Sequence, residues 1–314
     1  MDSGRVVKRT NVMKTREYSF CVADFWMRIH LPEAWDVGEL LPSFRPFLRD
    51  ANTGNKILLD CTVQFEQEPH HLENLGEVIE ETVNDMGHIC LYEYTEGYKV
   101  VLYVEGSGYM HTMQATKDFS EIHIQLCPQD KSVGHMLSSM LRLAYSQAIL
   151  YYEALAIHAS TVYNDGRAYL FLGKSGTGKS THSALWMKYI QGTGLLNDDN
   201  PTVRIIDGKA YVWGTPWSGK TPCYINKVYP IGGVVRLKQA AENCFYQQDG
   251  INSFVTLFPG CSVISQDEEL RSRLYDTVSR LAEIVTIGRL ECRPDREAAE
   301  LCYRRLKEID NKNS

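Results

Sequence analysis

Ala168-Tyr169-Leu170-Phe171-Leu172-Gly173-Lys174-Ser175-Gly176-Thr177-Gly178-Lys179-Ser180 reads as an apolar strand running into a glycine-rich turn, and Thr181-His182-Ser183-Ala184-Leu185-Trp186-Met187 after it suits a helix. Residues Gly173 to Ser180 complete the Walker A pattern Gly-x-x-x-x-Gly-Lys-Ser, and a strand before with a helix after is the context such a loop requires. Glycines let successive backbone N–H groups turn toward one point, and the helix adds the positive end of its dipole, so the concavity suits a phosphate chain. Lys179 is placed to reach the β- and γ-phosphates and the Ser180 hydroxyl to ligate Mg²⁺. The expected nucleotide contacts are Gly173, Lys174, Ser175, Gly176, Thr177, Gly178, Lys179, Ser180 and Thr181, with ATP and Mg²⁺ as ligands. The alternative is a plain Gly/Ser turn joining strand to helix.

Working outward, Ile157 to Tyr163 and Arg167 to Leu172 are β-like and flank Asn164-Asp165-Gly166, a hairpin signal that delivers the chain into the loop. A second hairpin, Val203 to Ile206 and Tyr211 to Trp213, surrounds Asp207-Gly208. Most P-loop proteins alternate parallel strands with helices, so hairpins on both sides point to a mixed sheet. Upstream, Ser132 to Leu155 carries Met136, Leu137, Met140, Leu141, Ala144 and Ala148 at helical spacing and reads as a connecting helix with a core-facing stripe. Before it, Ile57 to Val63, His88 to Tyr94, Tyr98 to Val104 and Glu121 to Leu126 are short β-rich segments, with Thr95-Glu96-Gly97 as a turn. Glu268 to Ile287 and Asp295 to Ile309 are amphipathic helical stretches separated by Arg289 to Pro294. The expected fold class is α/β with a mixed sheet. A flexible tail (1–16) and an N-terminal antiparallel β-rich domain (17–130) precede the connecting helix (131–156) and a C-terminal P-loop domain (157–314).

A chain of 314 residues, 44% hydrophobic, can bury a sizeable core. Its formal charge of −6 argues against a generic binder of nucleic acid or anionic membrane, both of which need basic surface. Nine cysteines lie scattered without a Cys-x-x-Cys pair, which leaves a zinc ribbon or thioredoxin-like motif unsupported. The odd count, the polar first residues and the lack of any long apolar run suggest a reduced, cytoplasmic protein.

A phosphate loop does not by itself hold a metal or activate an acceptor, so acidic groups should follow. Beyond Gly192-Thr193-Gly194 and Leu195-Leu196 stand Asn197-Asp198-Asp199-Asn200. Adjacent carboxylates at a strand end can divide labour, one toward Mg²⁺ and the other toward an incoming hydroxyl. Together with His158, the hairpin and the loop, these residues resemble the catalytic domain of bacterial HPr kinase/phosphorylase, whose fold is related to phosphoenolpyruvate carboxykinase. The resemblance is specific over roughly 157–212, looser to 306, and leaves out the N-terminal part. It implies nucleotide contacts at Gly173, Gly176, Gly178, Lys179 and Ser180, a general base within the Asp198-Asp199 pair, His158 near the active site, and a homo-oligomer. Because alternate strand positions face opposite ways, the two acids divide these roles; Asp198 is taken as base and Asp199, with Ser180, as the metal side, with the converse as the alternative.

Two departures bear on the substrate: Asn197 stands where the family commonly has a small residue, and the family's later substrate-loop signature is missing. In its place, Trp213 to Pro222 offers Gly214 and Gly219 for close backbone approach, Lys220 as a phosphate-directed charge, and two tryptophans that would stack on a base or wall the pocket. The alternative is an aromatic-anchored structural loop. Arg236, closing the apolar Ile231 to Val235, is a candidate for stabilising the transferring phosphoryl group. His182, just inside the helix, reads as a packing residue. The expected function is an ATP- and Mg²⁺-dependent phosphotransferase acting on a hydroxyl of a small protein, peptide or metabolite. The alternatives are a non-catalytic ATP-binding regulator and a carboxykinase-like enzyme.

Overall fold

The computed structural model describes residues 14–50, 54–66, 77–84, 87–103, 108–219 and 221–313. Two nine-stranded sheets form the frame. The first contains β1 (Thr15–Val22), β2 (Phe25–Pro32), β3 (Leu48–Arg49), β4 (Ile57–Phe65), β5 (Glu77–Asn84), β6 (Gly87–Tyr94), β7 (Gly97–Tyr103), β8 (Met110–Thr116) and β9 (Glu121–Leu126), with helix α1 (Val37–Leu40) between β2 and β3. Its spatial order is β3-β1-β2-β4-β9-β8-β7-β6-β5. Helix α2 (Val133–Ala148) then leads to the second sheet. That sheet holds β10 (Ala154–Ala156), β11 (Ala159–Asn164), β12 (Arg167–Leu172), β13 (Gly194–Asp199), β14 (Thr202–Ile206), β15 (Lys209–Trp213), β16 (Val228–Gln239), β17 (Cys244–Gln248) and β18 (Ile287–Cys292). Helices α3 (Lys179–Tyr189), α4 (Gly250–Leu257), α5 (Glu268–Ile284) and α6 (Arg296–Asn313) complete the chain.

The second sheet is mixed: β12 pairs in parallel with β16 and β16 with β18, while β11–β12, β11–β13 and β14–β15 are antiparallel. Both sequence-expected hairpins form, and Asp165 and Gly166 take positive φ (49° and 71°) as a two-residue turn of that kind demands. The uninterrupted apolar run in β12 has a physical reason. Ala168, Leu170 and Leu172 face the main core, while Tyr169 and Phe171 face a second core beneath α3 and α6 with Trp186, Val235, Leu290 and Leu306. A strand covered on both faces needs no polar alternation. The main core is continuous between the sheets, for Phe20, Met27 and Ile29 share it with Leu155, Val203 and Leu281, and the α2 stripe of Met136, Leu137, Met140, Leu141, Ala144 and Ala148 is buried within it.

Several expectations change. The N-terminal sheet is not purely antiparallel, because β2–β4 and β4–β9 run parallel. Parallel neighbours are joined by crossovers, here through α1 for β2–β4, and so leave no turn dipeptide to read. The connecting helix stops at Ala148: the chain tightens into a 3₁₀ turn, Glu153 adopts φ 50°, and Ala154–Ala156 pairs with β14 instead of continuing the helix. The stretch 289–294 lies mostly in β18, and α5 ends at Ile284. Thr15 and Arg16 belong to β1, and the rest of the expected tail up to residue 13 lies outside the described residues. Among the described residues, no helix is long and apolar enough to cross a membrane.

His182 packs, as its position suggested. It is buried, edge-on to Phe171, and its Nε2 accepts a hydrogen bond from Trp186 Nε1 at 3.1 Å. That acceptor role requires an unprotonated Nε2, and burial pushes the pKa down from 6.5 to about 4. The unfolded chain therefore takes up this proton first as pH falls, so stability is complete above pH 6.5 and is lost through the window down to about 4. The loss amounts to about 3 kcal/mol. Denaturant melts at several pH values should show it, and His182→Gln, which keeps an acceptor without titrating, should flatten that part of the profile. An unchanged profile in the variant would assign the acid sensitivity elsewhere.

Candidate functional site

The turn after β12 supplies the first half of the site. Gly176 and Gly178 sit at φ 79° and 105°, backbone that a side chain would strain, and Gly178 forms the N-cap of α3 without any side-chain cap. The first amides of α3 are thus left to whatever enters the concavity. Lys179 Nζ folds back to donate to the carbonyls of Gly173 (3.0 Å) and Lys174 (3.5 Å). Burial holds its pKa below the ordinary lysine value, against the pull of Asp199 and Asp198.

The second half comes from the end of β13. Strand β11 pairs Ser160 with Asp198 and Ala159 with Asp199. Ser160 Oγ lies 2.6 Å from Ser183 Oγ on α3, so the face shared by Ser160 and Asp198 is the one turned to the loop helix. Accordingly Ser180 Oγ donates to Asp198 Oδ1 at 2.9 Å. Asp199 points the other way, where Arg142 Nη1 from α2 reaches its Oδ2 at 3.1 Å and His158 Nε2 lies 3.4 Å from its Oδ1. The acid expected beside Ser180 was Asp199, and the one found there is Asp198. Alternation along the strand holds, but the register, invisible in one strand's sequence, puts Asp198 beside Ser180 and Asp199 on the open side. Burial and the nearby Lys179 charge keep the His158 imidazole below its ordinary pKa, opposed by Asp199.

Asp198 is 5% exposed, and its Oδ2 is buried with no hydrogen-bond partner. A buried carboxylate oxygen left unsatisfied is costly, and a cation would relieve it. Ser180 Oγ and the Asp198 carboxylate are hard oxygen donors, so the residues present fit a magnesium ion.

Asn197 organises the ground beneath the acids. Fully buried, it donates from Nδ2 to the Trp217 carbonyl (3.0 Å) and Thr215 Oγ1 (3.2 Å), and its Oδ1 accepts from the amides of Asn200 (2.9 Å) and Asp199 (3.1 Å). This side chain therefore clamps residues 215–217 against the end of β13. Gly219 approaches so closely that an added Cβ would meet the Asp198 carbonyl at 2.6 Å, so the close approach is to this chain's own backbone. Trp213 and Trp217 are both buried, and neither offers a face to a base. Ser218 and Gly219 of the 213–222 loop line the cavity. Lys220 lies outside the described residues.

Arg236 sits within β16 opposite Leu172, near enough to Lys179 for its charge to add to burial in lowering that amine's pKa, and both its Nε (2.8 Å) and Nη2 donate to the Thr256 carbonyl on α4. Sequence reading missed Arg142. Its signal was available, for it is the sole Lys, Arg, Asp or Glu in the α2 sequence, but which strand end it would meet depends on the tertiary fold. The loop, both acids and His158 line one end of a cavity of about 1090 Å³ whose other end is walled by Ile89, Leu91, Val100 and Leu102 of the first sheet.

No family model matches the chain. No curated protein matches it in sequence. Among solved structures it is similar to the Hpr(Ser) kinase/phosphatase from Coxiella burnetii, at 10% identity and a TM-score of 0.30, over 50% of this chain and 97% of that one.

Proposed function

We propose that this chain is an ATP-dependent kinase that binds magnesium-ATP at Gly173–Ser180 and passes the γ-phosphoryl group to a hydroxyl. The observation that carries this reading is the Ser180–Asp198 contact, with the second Asp198 oxygen buried and unpartnered, at the uncapped start of α3 behind a glycine turn. The motif resemblance to HPr kinase supports the same assignment for Gly173, Gly176 and Gly178, and the Walker A pattern extends it to Lys174, Ser175, Thr177 and Thr181.

In this scheme the loop amides and the first turn of α3 cradle the phosphates. Ser180 and Asp198 would hold Mg²⁺, which when bound offsets charge on the β- and γ-oxygens. Lys179 leaves the carbonyls of Gly173 and Lys174 to follow the transferring group. Asp199 takes the proton of the acceptor hydroxyl, its carboxylate oriented by Arg142 and His158. Phosphoryl transfer of this kind relies on positioning and electrostatics. The acceptor approaches from the aliphatic end of the cavity, which assigns the 17–130 part and the 131–156 connection a share in acceptor binding and the 157–314 part the nucleotide.

Incubating the protein with γ-labelled ATP and Mg²⁺ in cell extract, then separating protein, peptide and small-molecule fractions, tests this. Label should enter one fraction and vanish with Lys179→Ala, which should also weaken nucleotide binding roughly tenfold to a hundredfold, the cost of removing a charged donor. Nucleotide bound without label in any fraction would favour an ATP-sensing regulator.

A further inference from the structure

The far end of the first sheet holds a second constellation, remote in chemistry from the phosphate loop. Strands β5 and β6 are antiparallel, with Glu81 opposite Cys90 and Val83 opposite His88. Glu80, Thr82, Ile89 and Leu91 line the cavity, so alternation places Glu81, His88 and Cys90 together on the opposite face. There His88 Nε2 lies 2.5 Å from Glu81 Oε1 and 3.4 Å from Cys90 Sγ. Their ligand atoms all fall within 4.8 Å of one another, the sole such group of three among the described residues.

We infer that Glu81, His88 and Cys90 form a zinc site that staples the β5–β6 hairpin. Thiolate, imidazole and carboxylate together suit zinc, and solvent completes a four-coordinate arrangement. With Zn–S near ~2.3 Å and Zn–N near ~2.0 Å, a tetrahedral centre separates sulfur and nitrogen by about 3.5 Å, close to the 3.4 Å found here. Oxygen and nitrogen would stand about 3.3 Å apart, so Glu81 must withdraw slightly from its present 2.5 Å, which its 61% exposed side chain is free to do. On binding, Cys90 releases its thiol proton to solvent, and the His88 proton moves to Nδ1 so that Nε2 presents its lone pair.

The hairpin has a reason to need a staple. β5 ends the sheet among the described residues and buries little, with Val78 and Val83 50% and 69% exposed. Apolar burial therefore contributes little to holding it. Yet Glu80 and Thr82 on this strand form part of the cavity wall, so metal bound on one face of β5 fixes the surface presented on the other.

The experiment is a zinc titration of the chelator-stripped full chain against a chromophoric zinc indicator, beside Cys90→Ser and Glu81→Gln. The wild-type chain should withdraw one equivalent of zinc. Cys90→Ser should weaken that by at least about 100-fold and Glu81→Gln by about tenfold. Cobalt in place of zinc should give a thiolate charge-transfer band that disappears in Cys90→Ser. Glu81 is exposed, so its variant keeps the test valid should Cys90→Ser fail to fold. Zinc withdrawn equally by the wild type and Glu81→Gln, or by the wild type and a folded Cys90→Ser, would place any bound metal at other residues and overturn the assignment. So would a wild-type chain that withdraws none at micromolar zinc.

Discussion

Asp199→Asn is expected to lower phosphoryl transfer by about 100-fold or more while leaving magnesium-ATP affinity nearly intact, because the acid removed is the one on the open side of β13. Asparagine keeps the shape and an oxygen for Arg142 but cannot take a proton. Asp198→Asn should behave differently. It keeps an oxygen for Ser180 but removes the charge that would hold the cation, so nucleotide binding should lose most of its dependence on added Mg²⁺. Isothermal titration of ATP with and without Mg²⁺, set beside turnover on whichever fraction accepts label, separates the two outcomes. If Asp198→Asn loses only turnover and Asp199→Asn only the metal response, the roles are the converse, with Asp198 the base and Asp199 on the metal side.

The second large effect lies in the clamp beneath the acids. Trp217→Ala should destabilise the chain by about 3–5 kcal/mol, the usual range for emptying a buried indole's space. Trp217 is 5% exposed and packs against Phe44 (5.6 Å, perpendicular) and Tyr145 (5.0 Å). Its Nε1 donates to the Ser138 carbonyl of α2 at 3.0 Å, while its own carbonyl receives Asn197. Alanine removes the packing and the indole bond together. Trp217→Phe keeps most of the apolar volume and loses the N–H, so it should recover all but roughly 1–2 kcal/mol. Chemical denaturation of the three proteins measures the difference. An alanine variant within about 0.5 kcal/mol of wild type would mean that the loop is not anchored by this side chain.

What the sequence made legible was local chemistry. The apolar strand, the glycine turn and the following helix are written in consecutive residues, and Asn164-Asp165-Gly166 and Asp207-Gly208 announce their hairpins by the positive φ they tolerate. What stayed hidden was everything set by partners distant in the chain. Parallel pairing of β4 with β2 and β9 leaves no turn to read. The register of β11 against β13 decides which acid meets Ser180, and neither strand states it alone. Arg142 reaches Asp199 across 57 positions of sequence, and Trp217 looked like a binding residue because exposure cannot be read from composition. Arg236 ended an apolar run and so resembled a strand-end charge, whereas β16 continues to Gln239 and turns the guanidinium to α4.

The continuous core between the two sheets has a thermodynamic consequence. Because residues near the beginning of the chain, such as Phe20 and Ile29, are buried with Leu155, Val203 and Leu281, severing the chain after α2 would bare apolar surface on both pieces. The halves are therefore coupled in melting, and any ligand bound at the turn after β12 would stabilise strands that never touch it.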